Sequence, residues 1–345
     1  MHEISMFGKI GVLVVNLGTP DEPSRGAVYR YLKEFLLDPR VIDINPIARN
    51  LLVRGIIAPF RSGKSAEAYR KLWTPEGSPL KVFGYKLVEA MRQNLGAGFE
   101  IELAMRYQRP SIANAIQKLL QAQVREIVVL PLFPQYASAT TGSVHEEVMR
   151  VLAKEQVIPK LKFIDSYYNH PAMIKAFVAR AEQYDVSKFD HVLFSYHGLP
   201  KRQLIKADAG GNHCQQSPNC CHNIGKHNQF CYSAQCYATT EAIAQALGLS
   251  RHQYTTCFQS RLGRDPWIEP YTSDVLKMRR DAGDKNLLVF CPAFVADCLE
   301  TTIEIGEEYA EEFEAMGGEH VQLVEGLNDH PLWVEAASML VREHI

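Results

Sequence analysis

The chain has 345 residues, of which 46% are hydrophobic and 22% are charged, and its 37 Lys and Arg residues against 39 Asp and Glu residues give a formal net charge of −2. This composition is typical of a globular protein long enough for two domains. It disfavours nucleic acid as a partner, because binding nucleic acid calls for a strongly basic face.

The N-terminal sequence predicts a cytoplasmic protein. It lacks the basic stretch, apolar stretch and small-residue cleavage site of a secretory signal. No uninterrupted apolar run approaches the roughly 18 residues of a membrane-spanning helix. The nearest is Val41–Phe60, which is interrupted by Asp43, Arg49 and Arg54 and broken by Pro46. This stretch is expected either to touch a membrane surface or an apolar ligand, or to be an ordinary helix packed in the core.

Short β-rich runs bounded by turn residues predict eight strands. In chain order these are Ile10–Asn16, Glu100–Tyr107, Glu126–Phe133, Lys162–Tyr167, His191–Tyr196, Tyr254–Gln259, Asn286–Cys291 and His320–Glu325. Helical periodicity is found between them at Pro79–Leu95, Ile112–Ala122, Pro171–Tyr184 and Ala238–Leu247. The alternation predicts an α/β fold of two doubly wound, Rossmann-like domains with parallel sheets.

The domain boundary is expected near Asp165–His170. The first domain is predicted to cover residues 8–167 and 328–345, and the second to cover residues 168–327 with a cysteine-rich insert at 212–236. Nucleotide binding is not predicted, because no GxGxxG follows the first strand and the P-loop-like Ser62–Ser65 has Ala58 where that motif needs glycine.

Ligands of open parallel sheets bind beyond the carboxyl ends of the strands, so the strand exits are the places to search. His197 ends one predicted strand and is followed at once by glycine. A neutral imidazole there can bind a divalent metal or accept a proton, although a structural hydrogen bond is an equally good explanation of a lone histidine.

A row of glutamates follows a second strand exit. Glu300, Glu304 and Glu308 recur at i, i+4 on a predicted helix that begins near Asp297, so they share one face. A solvated acidic face is the ordinary explanation of such a row. Glu300, however, follows an apolar strand and is expected at the same sheet edge as His197. Carboxylate and imidazole ligands together would bind Fe²⁺ weakly enough to release it again, and the row of glutamates could also carry protons.

Eight cysteines stand out in an otherwise ordinary composition, and five of them crowd into one segment. The five are Cys214, Cys220, Cys221, Cys231 and Cys236. In a protein without a secretory signal, clustered thiols are better metal ligands than disulfides. The C-x2-C pairs typical of zinc sites are missing, whereas Cys231-x4-Cys236 has the spacing of one pair in plant-type [2Fe–2S] proteins. The rest of the plant-type pattern is absent, so the spacing leaves both a [2Fe–2S] cluster and zinc open.

Several motifs together resemble the ferrochelatase family, in the right order and from about residue 9 to the end of the chain. They are Val15–Pro20, Tyr69–Leu80, Met105–Tyr107, Pro134–Tyr136, Thr140–Gly142, Ser195–Pro200, Phe258–Arg261 and Asp297 with Glu300–Thr301. The resemblance implies a chelatase-like fold that holds a porphyrin in the cleft between its domains, with a porphyrin-binding lip on the first domain, and inserts Fe²⁺ to make haem.

The resemblance also assigns site residues. It implies that His197 and Glu300 are the catalytic pair and handle the metal together with Asp297 and Glu304, with Glu308 further along the acidic path. The implied porphyrin contacts are Leu17, Arg106, Tyr107, Tyr136, Ser195 and Trp267. Arg106 could pair with ligand carboxylates.

Two departures from the family pattern lie near this site. Residues Asp208–His213 replace a Gly-Asp-Pro-Tyr stretch of many relatives, and Cys298 stands where some relatives have His. The cysteine-rich segment that follows is similar to the internal cluster region of some bacterial ferrochelatases, and this resemblance favours a [2Fe–2S] cluster over zinc. The favoured ligands are Cys214, Cys231 and Cys236 with either Cys220 or Cys221.

Two other functions remain open from the sequence. One is a related class II chelatase for another metal or tetrapyrrole, which the Tyr69–Leu80 match disfavours. The other is a haem- or iron-binding sensor without turnover, which the His197 and Glu300 pair disfavours. Protoporphyrin IX and coproporphyrin III both remain possible substrates. The apolar Val41–Phe60 stretch favours protoporphyrin and loose contact with the inner membrane surface.

Overall fold

The computed structural model describes residues 8–217, 219–261, 263 and 265–345. Contacts divide the chain into two units, and the chain passes between them more than once. The first unit consists of the residues up to Phe133, with Ser138–Asp165 and Asp329–Ile345, and the second consists of Pro134–Ala137 and Ser166–Asn328.

The first unit is built on a four-stranded parallel sheet. Its strands are β1 (Ile10–Gly18), β2 (Phe99–Tyr107), β3 (Glu126–Pro131) and β4 (Lys160–Phe163), in the order β2-β1-β3-β4. Its helices are α1 (Arg25–Leu37), α2 (Pro46–Leu52), α3 (Ala58–Leu72), α4 (Pro79–Leu95), α5 (Ile112–Gln121), α6 (Ser143–Leu152) and α12 (Pro331–Arg342). Aliphatic strand residues are buried beneath helices, as a parallel sheet covered on its faces requires.

The second unit repeats this plan. Its strands are β5 (His191–His197), β6 (Tyr254–Gln259), β7 (Asn286–Phe290) and β8 (His320–Leu323), all parallel and in the order β6-β5-β7-β8. Its α-helices are α7 (Pro171–Ala181), α8 (Lys201–Ala207), α9 (Tyr232–Ala246), α10 (Thr272–Asp281) and α11 (Ala310–Ala315). Short 3₁₀ turns at Val186–Lys188 and Arg251–Gln253 precede β5 and β6.

The predicted fold class is confirmed: each unit contains a parallel sheet with flanking helices, and eight strands are found near the predicted positions, although β4 spans Lys160–Phe163 rather than Lys162–Tyr167. Two helical predictions differ from the structure. Helix α9 begins at Tyr232 rather than Ala238, directly after Cys231. The glutamate row lies on a π-helix, Leu299–Tyr309, that continues into α11, and not on an α-helix beginning near Asp297. Its wider i→i+5 turns are typical of functional sites.

The Val41–Phe60 stretch is helical from Pro46 onward, with Val53 and Ala58 buried but several large apolar side chains exposed. Helix α2 continues through a π-helical turn, Val53–Ile57, into α3. The exposed fractions of Ile47, Leu51 and Phe60 are 73%, 70% and 80%. The alternative of an ordinary core-packed helix is therefore wrong for these side chains. In the part of the chain that the structure describes, no helix combines the length and apolar character needed to cross a bilayer.

Candidate functional site

The His197 side chain is held in one orientation at the end of β5. Its Nδ1 lies 2.6 Å from the carbonyl oxygen of Gly198, and because a carbonyl can only accept, Nδ1 carries the hydrogen. In the neutral ring Nε2 is then the nitrogen with a free lone pair. The rings of Trp267 and Phe294 lie next to it, with centroids 6.4 Å from the imidazole in both cases. The ring is therefore confined, with Nε2 as its proton acceptor or metal ligand.

Gly198 allows this turn to form. A Cβ at this position would lie 2.8 Å from the Gln259 carbonyl oxygen and 3.1 Å from the Trp267 ring. The Gly198 N–H donates to that same carbonyl at 2.8 Å, which ties the exit of β5 to the exit of β6. A side chain here would displace either the backbone of β6 or the indole beside His197.

Gln259 connects the two halves of the predicted catalytic pair. It lies opposite His197 in the register of β5 and β6. Its Nε2 donates to the Glu300 carbonyl at 2.7 Å and to the Glu304 carboxylate at 3.1 Å, while its Oε1 accepts from the Ser195 hydroxyl at 2.7 Å. One buried amide thus fixes the start of the π-helix against the strand that ends in His197.

The Glu304 carboxyl has a perturbed pKa. Burial raises its pKa above the ordinary value, and the Ser260 hydroxyl, which donates to it at 2.5 Å, opposes that rise. His197 and Glu300 both lie within electrostatic range of it. A carboxyl with a raised pKa beside an imidazole can take up and release protons nearer neutral pH.

Glu300 and Asp297 lie in different surroundings. The buried thiol of Cys298 is hydrogen-bonded to the Glu300 side chain. The Asp297 carboxylate accepts from the Gly326 N–H at 3.0 Å and from the Asn328 amide at 2.7 Å, and its backbone N–H donates to that same amide. Asp297 therefore joins the loop after β7 to the loop after β8. Glu308, one π-helical turn beyond Glu304, is exposed.

The predicted porphyrin contacts in the second unit are Ser195, Trp267 and Tyr136. The Ser195 hydroxyl is fully buried, bonded to Gln259 and lying 2.9 Å from the Thr272 hydroxyl, so it supports the strand exit. Trp267 lies beside His197, and its buried indole N–H has no acceptor among the described residues. The Tyr136 backbone N–H donates to Gln235 at 2.7 Å.

The predicted contacts in the first unit lie at the exits of β1 and β2. Tyr107 is buried, and its hydroxyl donates to Asp38 at 2.9 Å. Arg106 donates to Asp38 at 2.8 Å and to the Ser143 hydroxyl at 2.7 Å. The Arg106 guanidinium thus already has a carboxylate partner within its own unit. Leu17 is half-buried at the end of β1.

The cysteine-rich segment gathers its thiols around a small cavity beside α8 and α9. Cys214, Cys220 and Cys231 line it, together with His213 and His227. The Sγ atoms of Cys220 and Cys221 are 3.5 Å apart. The Asp208 carboxylate accepts from the backbone N–H groups of His213 and Cys214, both at 2.8 Å, and so closes the loop.

Two further thiols lie next to this cavity. Cys221 is hydrogen-bonded to Cys231, which raises the pKa of Cys221 and lowers that of Cys231. Cys236 is wholly buried on α9, where burial raises its pKa. All eight cysteines are free of disulfides. Over residues 8–345 apart from 218, 262 and 264, no three His, Cys, Asp or Glu side chains converge closely enough to hold a metal ion.

Three supporting residues were not predicted as site residues. Gln259 and Ser260 belong to a polar strand exit, and this polarity was the sequence feature that could have indicated them. Their hydrogen bonds to Glu304 could not be predicted, because Glu304 lies more than forty residues further along the chain. Tyr232 donates to the His197 carbonyl at 2.9 Å. The sequence did not indicate this role for Tyr232. Tyr232 directly follows Cys231, which indicated a separate metal site instead.

A sequence pattern that describes the family named Ferrochelatase matches residues 9–345. This chain belongs to the ferrochelatase family. The protein named Ferrochelatase from Legionella pneumophila (strain Paris) is 46% identical over 335 residues, covering 97% of this chain and 99% of its own. The Ferrochelatase of Coxiella burnetii (strain CbuK_Q154) is 45% identical over 339 residues, covering 98% of this chain and 94% of its own.

Solved structures support the fold of this ferrochelatase family member. SirB from Bacillus subtilis with Fe³⁺ matches with a TM-score of 0.53 at 13% identity, over 97% of this chain and 95% of the SirB chain. The sirohydrochlorin chelatase SirB from Bacillus subtilis subspecies spizizenii, in complex with cobalt, matches with a TM-score of 0.54 at 13% identity, over 97% and 94% of the two chains. At this identity the likeness concerns the fold alone.

Proposed function

We propose that this protein is a ferrochelatase, a lyase of haem biosynthesis that inserts Fe²⁺ into a porphyrin. The reaction joins one Fe²⁺ to the four macrocycle nitrogens and releases the two pyrrole protons. The observation that carries the proposal is the confined His197 imidazole, with Nε2 available, within electrostatic range of the half-buried Glu304 carboxyl.

We assign the first proton acceptor to His197. Its Nδ1 hydrogen is engaged by Gly198, so a proton taken from the porphyrin enters at Nε2 and makes the ring cationic. The negative charge of Glu300 or Glu304 would stabilise that cation. The acidic row of Glu300, Glu304 and the exposed Glu308 offers a route to solvent for the protons and a route inward for Fe²⁺, with Asp297 holding the loop that precedes it.

Chelation also requires a distorted macrocycle, because the nitrogen lone pairs must point out of the ring plane. Contact with apolar walls can offset that strain. Trp267 and Phe294, which confine His197, are the aromatic surfaces next to the proton acceptor in the second unit. We propose that Leu17 and Tyr136 add porphyrin contacts, and that Arg106, Tyr107 and Ser195 act by holding their strand exits.

The direct test is an anaerobic assay with the purified protein, Fe²⁺ and either protoporphyrin IX or coproporphyrin III. We expect haem formation, followed as loss of porphyrin fluorescence, with faster turnover of protoporphyrin. Parallel reactions with Co²⁺ and with sirohydrochlorin separate this activity from that of a related chelatase. Tight binding of haem without turnover of either porphyrin would instead indicate a sensor.

We further propose that the exposed apolar side chains of Val41–Phe60 form the porphyrin lip and contact a membrane surface. Ile47, Leu51 and Phe60 are more than two-thirds exposed, and such apolar patches usually mark interaction sites. The proposal places the protein in the cytoplasm at the inner membrane surface. Phe60→Ser should reduce sedimentation with phospholipid vesicles and leave stability within about 0.5 kcal/mol. Exposed Val157→Ser is the matched control.

We also propose that the cysteine-rich segment holds a [2Fe–2S] cluster. Three thiols line one cavity and Cys221 is hydrogen-bonded to one of them, so four thiolate donors lie in one segment, and they would have to move closer together to bind a cluster. The set proposed here is Cys214, Cys220, Cys221 and Cys231. It differs from the set favoured by sequence, because Cys236 is enclosed on α9. A bound cluster would cross-link the segment through its thiolates.

Visible absorption and low-temperature EPR before and after reduction test the cluster. Single Cys→Ser changes at the four proposed ligands should each remove the reduced-state EPR signal, while Cys236→Ser should retain it. A signal that is lost with Cys236→Ser but kept with Cys220→Ser would return the ligand set to the one favoured by sequence. Bound zinc in place of iron would contradict the cluster.

A further inference from the structure

The helix that carries the glutamates starts with an α-type hydrogen bond. The Thr302 N–H donates to the Cys298 carbonyl at 3.0 Å, which is an i→i+4 bond. The π-helix, with its wider i→i+5 pattern, covers Leu299–Tyr309. The change from the narrower to the wider turn therefore takes place in the first turn of the helix, where Glu300 lies. Because the glutamate spacing suits either geometry, the row itself does not explain this change.

The Glu300 carbonyl is held at this turn by a donor from outside the helix. The Nε2 of Gln259, at the end of β6, donates to that carbonyl at 2.7 Å and to the Glu304 carboxylate at 3.1 Å. In an α-helix the same carbonyl would accept from the Glu304 N–H. The Gln259 amide therefore draws the carbonyl away from its i→i+4 partner and also holds the side chain of that partner.

Gln259 is itself held firmly enough to impose a geometry on the helix. It is buried, its Oε1 accepts from the Ser195 hydroxyl at 2.7 Å, and its backbone carbonyl accepts from the Gly198 N–H at 2.8 Å. The amide oxygen and the amide nitrogen are thus both engaged, which fixes the orientation of the side chain. Moving the amide would leave buried polar groups without partners, which costs free energy.

The first unit contains the same arrangement. A π-helical turn, Ser138–Gly142, follows β3 there, as Leu299–Tyr309 follows β7. Arg106, near the end of β2, donates through Nε to the Ser143 carbonyl at 3.1 Å and to the Ser143 hydroxyl at 2.7 Å. In each unit an edge strand therefore supplies a side-chain donor to a backbone carbonyl in the π segment or directly after it. This repetition indicates that the donor and the π geometry belong together.

We propose that Gln259 is a positioning residue for iron insertion, which keeps the first turn of the π-helix wide and so holds the Glu304 carboxylate against the exit of β6. The inference rests on the proposed ferrochelatase activity. Without the amide, the Glu300 carbonyl would return to the Glu304 N–H and the turn would tighten. The Glu304 carboxylate would then rotate away from the Ser260 hydroxyl that donates to it.

This displacement should affect one substrate and not the other. The glutamate row is the proposed route of Fe²⁺, so a rotated Glu304 would meet the metal substrate in the wrong place. The aromatic surfaces proposed for the porphyrin, Trp267 and Phe294, lie outside the helix beside His197. Loss of the Gln259 amide should therefore weaken the use of Fe²⁺ and leave the porphyrin contacts intact.

The first test is kinetic and compares Gln259→Met with Thr272→Val. Methionine keeps the length of the side chain and removes both donors. The buried Thr272 hydroxyl lies 2.9 Å from that of Ser195, so valine removes a polar group from the same cluster and leaves the bonds to Glu300 and Glu304 in place. Gln259→Met should raise the Fe²⁺ KM by roughly tenfold and leave the porphyrin KM within about twofold. Thr272→Val should match the wild type in both.

Turnover at saturating Fe²⁺ separates positioning from a loss of folded protein. A variant that only unfolds more easily has fewer active molecules, which lowers kcat and leaves KM unchanged. For Gln259→Met we expect kcat within about threefold of the wild-type value once Fe²⁺ is saturating. An unchanged Fe²⁺ KM in folded Gln259→Met would overturn the inference, and so would an equal rise of KM for both substrates.

The second test observes the helix itself and does not depend on turnover. A crystal structure of Gln259→Met should show the Glu300 carbonyl accepting from the Glu304 N–H, with the Glu304 carboxylate no longer on Ser260. The structure of Thr272→Val should keep the π turn. An intact π turn in Gln259→Met, with the carboxylate still on Ser260, would overturn the inference.

The outcomes separate this inference from the proposed function. No haem formation by the wild type would overturn the enzymatic function, and the crystal structures would still show whether Gln259 holds the π turn. If Gln259→Met fails to fold, Gln259→Asn takes its place, because its amide keeps a polar group in the cluster but is one methylene too short to reach both acceptors. The same two results are expected from it, and wild-type values in both tests would overturn the inference.

Discussion

The two sheets have the same plan, but their polar strand exits differ in what remains free for a ligand. At the exit of β2, Asp38 binds Arg106, Tyr107 and Ser143, so opposite charges and hydroxyls meet within the first unit. At the exits of β5 to β7, His197 offers Nε2 and the half-buried Glu304 carboxyl has a raised pKa. The polar groups at the first exit are already paired with one another, whereas those at the second exit are arranged to exchange protons.

This difference shows that a polar strand exit is not by itself a reactive site. A buried arginine held by an aspartate contributes mainly to the stability of the fold, because both charges are already compensated. The His197 imidazole, whose one hydrogen bond among the described residues is at Nδ1, keeps the other nitrogen for chemistry. Mutations at the two exits should therefore have different effects. Those in the first unit should change stability, and those in the second should change turnover.

The largest effect is expected from His197→Ala. Loss of the proton acceptor should lower kcat by roughly 10²–10⁴-fold, the range typical of general acid–base residues. Porphyrin binding, measured by fluorescence titration, should be retained. His252→Ala, at an exposed histidine before β6, is the control and should match the wild type. Substantial turnover by His197→Ala would contradict the proposed difference between the two strand exits.

A smaller effect, on stability alone, is expected from Asp38→Asn. The Asp38 and Arg106 side chains are 3% and 17% exposed, so an uncompensated guanidinium should lower the free energy of unfolding by about 3 kcal/mol. Urea unfolding measures this change. Glu146→Gln breaks the more exposed pair with Arg40 and should cost less than about 1 kcal/mol. A raised porphyrin KM at unchanged stability would instead indicate that Arg106 binds substrate.

The smallest effect at neutral pH is expected from His191→Gln, at the opposite end of β5 from His197. Burial, with the nearby Arg279 charge, lowers the pKa of His191 from 6.5 to about 4. Because the unfolded chain takes up this proton first, wild-type stability should be present above pH 6.5 and fall by up to about 3 kcal/mol towards pH 4.

Urea midpoints measured from pH 7.5 down to pH 4 should decline less steeply for His191→Gln than for the wild type. Turnover per folded molecule at pH 7 should be unchanged, because the His191 side chain hydrogen-bonds only to Thr255 on β6 among the described residues. Parallel stability curves would show that His191 does not titrate with the predicted shift.

Local patterns were enough to predict the strands and helix α4, because a buried parallel strand and an amphipathic helix each carry their signal within a few residues. The π-helix at Leu299–Tyr309 could not be predicted in this way. Its i→i+5 bonds leave the glutamate spacing almost unchanged, so the row is equally compatible with an α-helix. The exposure of Ile47 and Phe60 likewise depends on what packs nearby.

The site residues show the same limit. His197 and the glutamates were visible as chemical groups at strand exits. Their partners were not, because Gln259 and Tyr232 contact them across gaps of tens of residues. For the same reason, sequence could not show that Arg106 already has Asp38 as its partner. Sequence therefore predicted which groups could react, but not how they are held.

The C-terminal helix has a consequence for the order of folding during synthesis. Helix α12 belongs to the first unit, where Trp333 and Val341 are buried and Arg342 donates to the Asn94 carbonyl at the end of α4. The second unit has all its residues once Asn328 has left the ribosome. The first unit is thus completed only after the second, and α4 has to wait with an uncovered apolar face until α12 has been made.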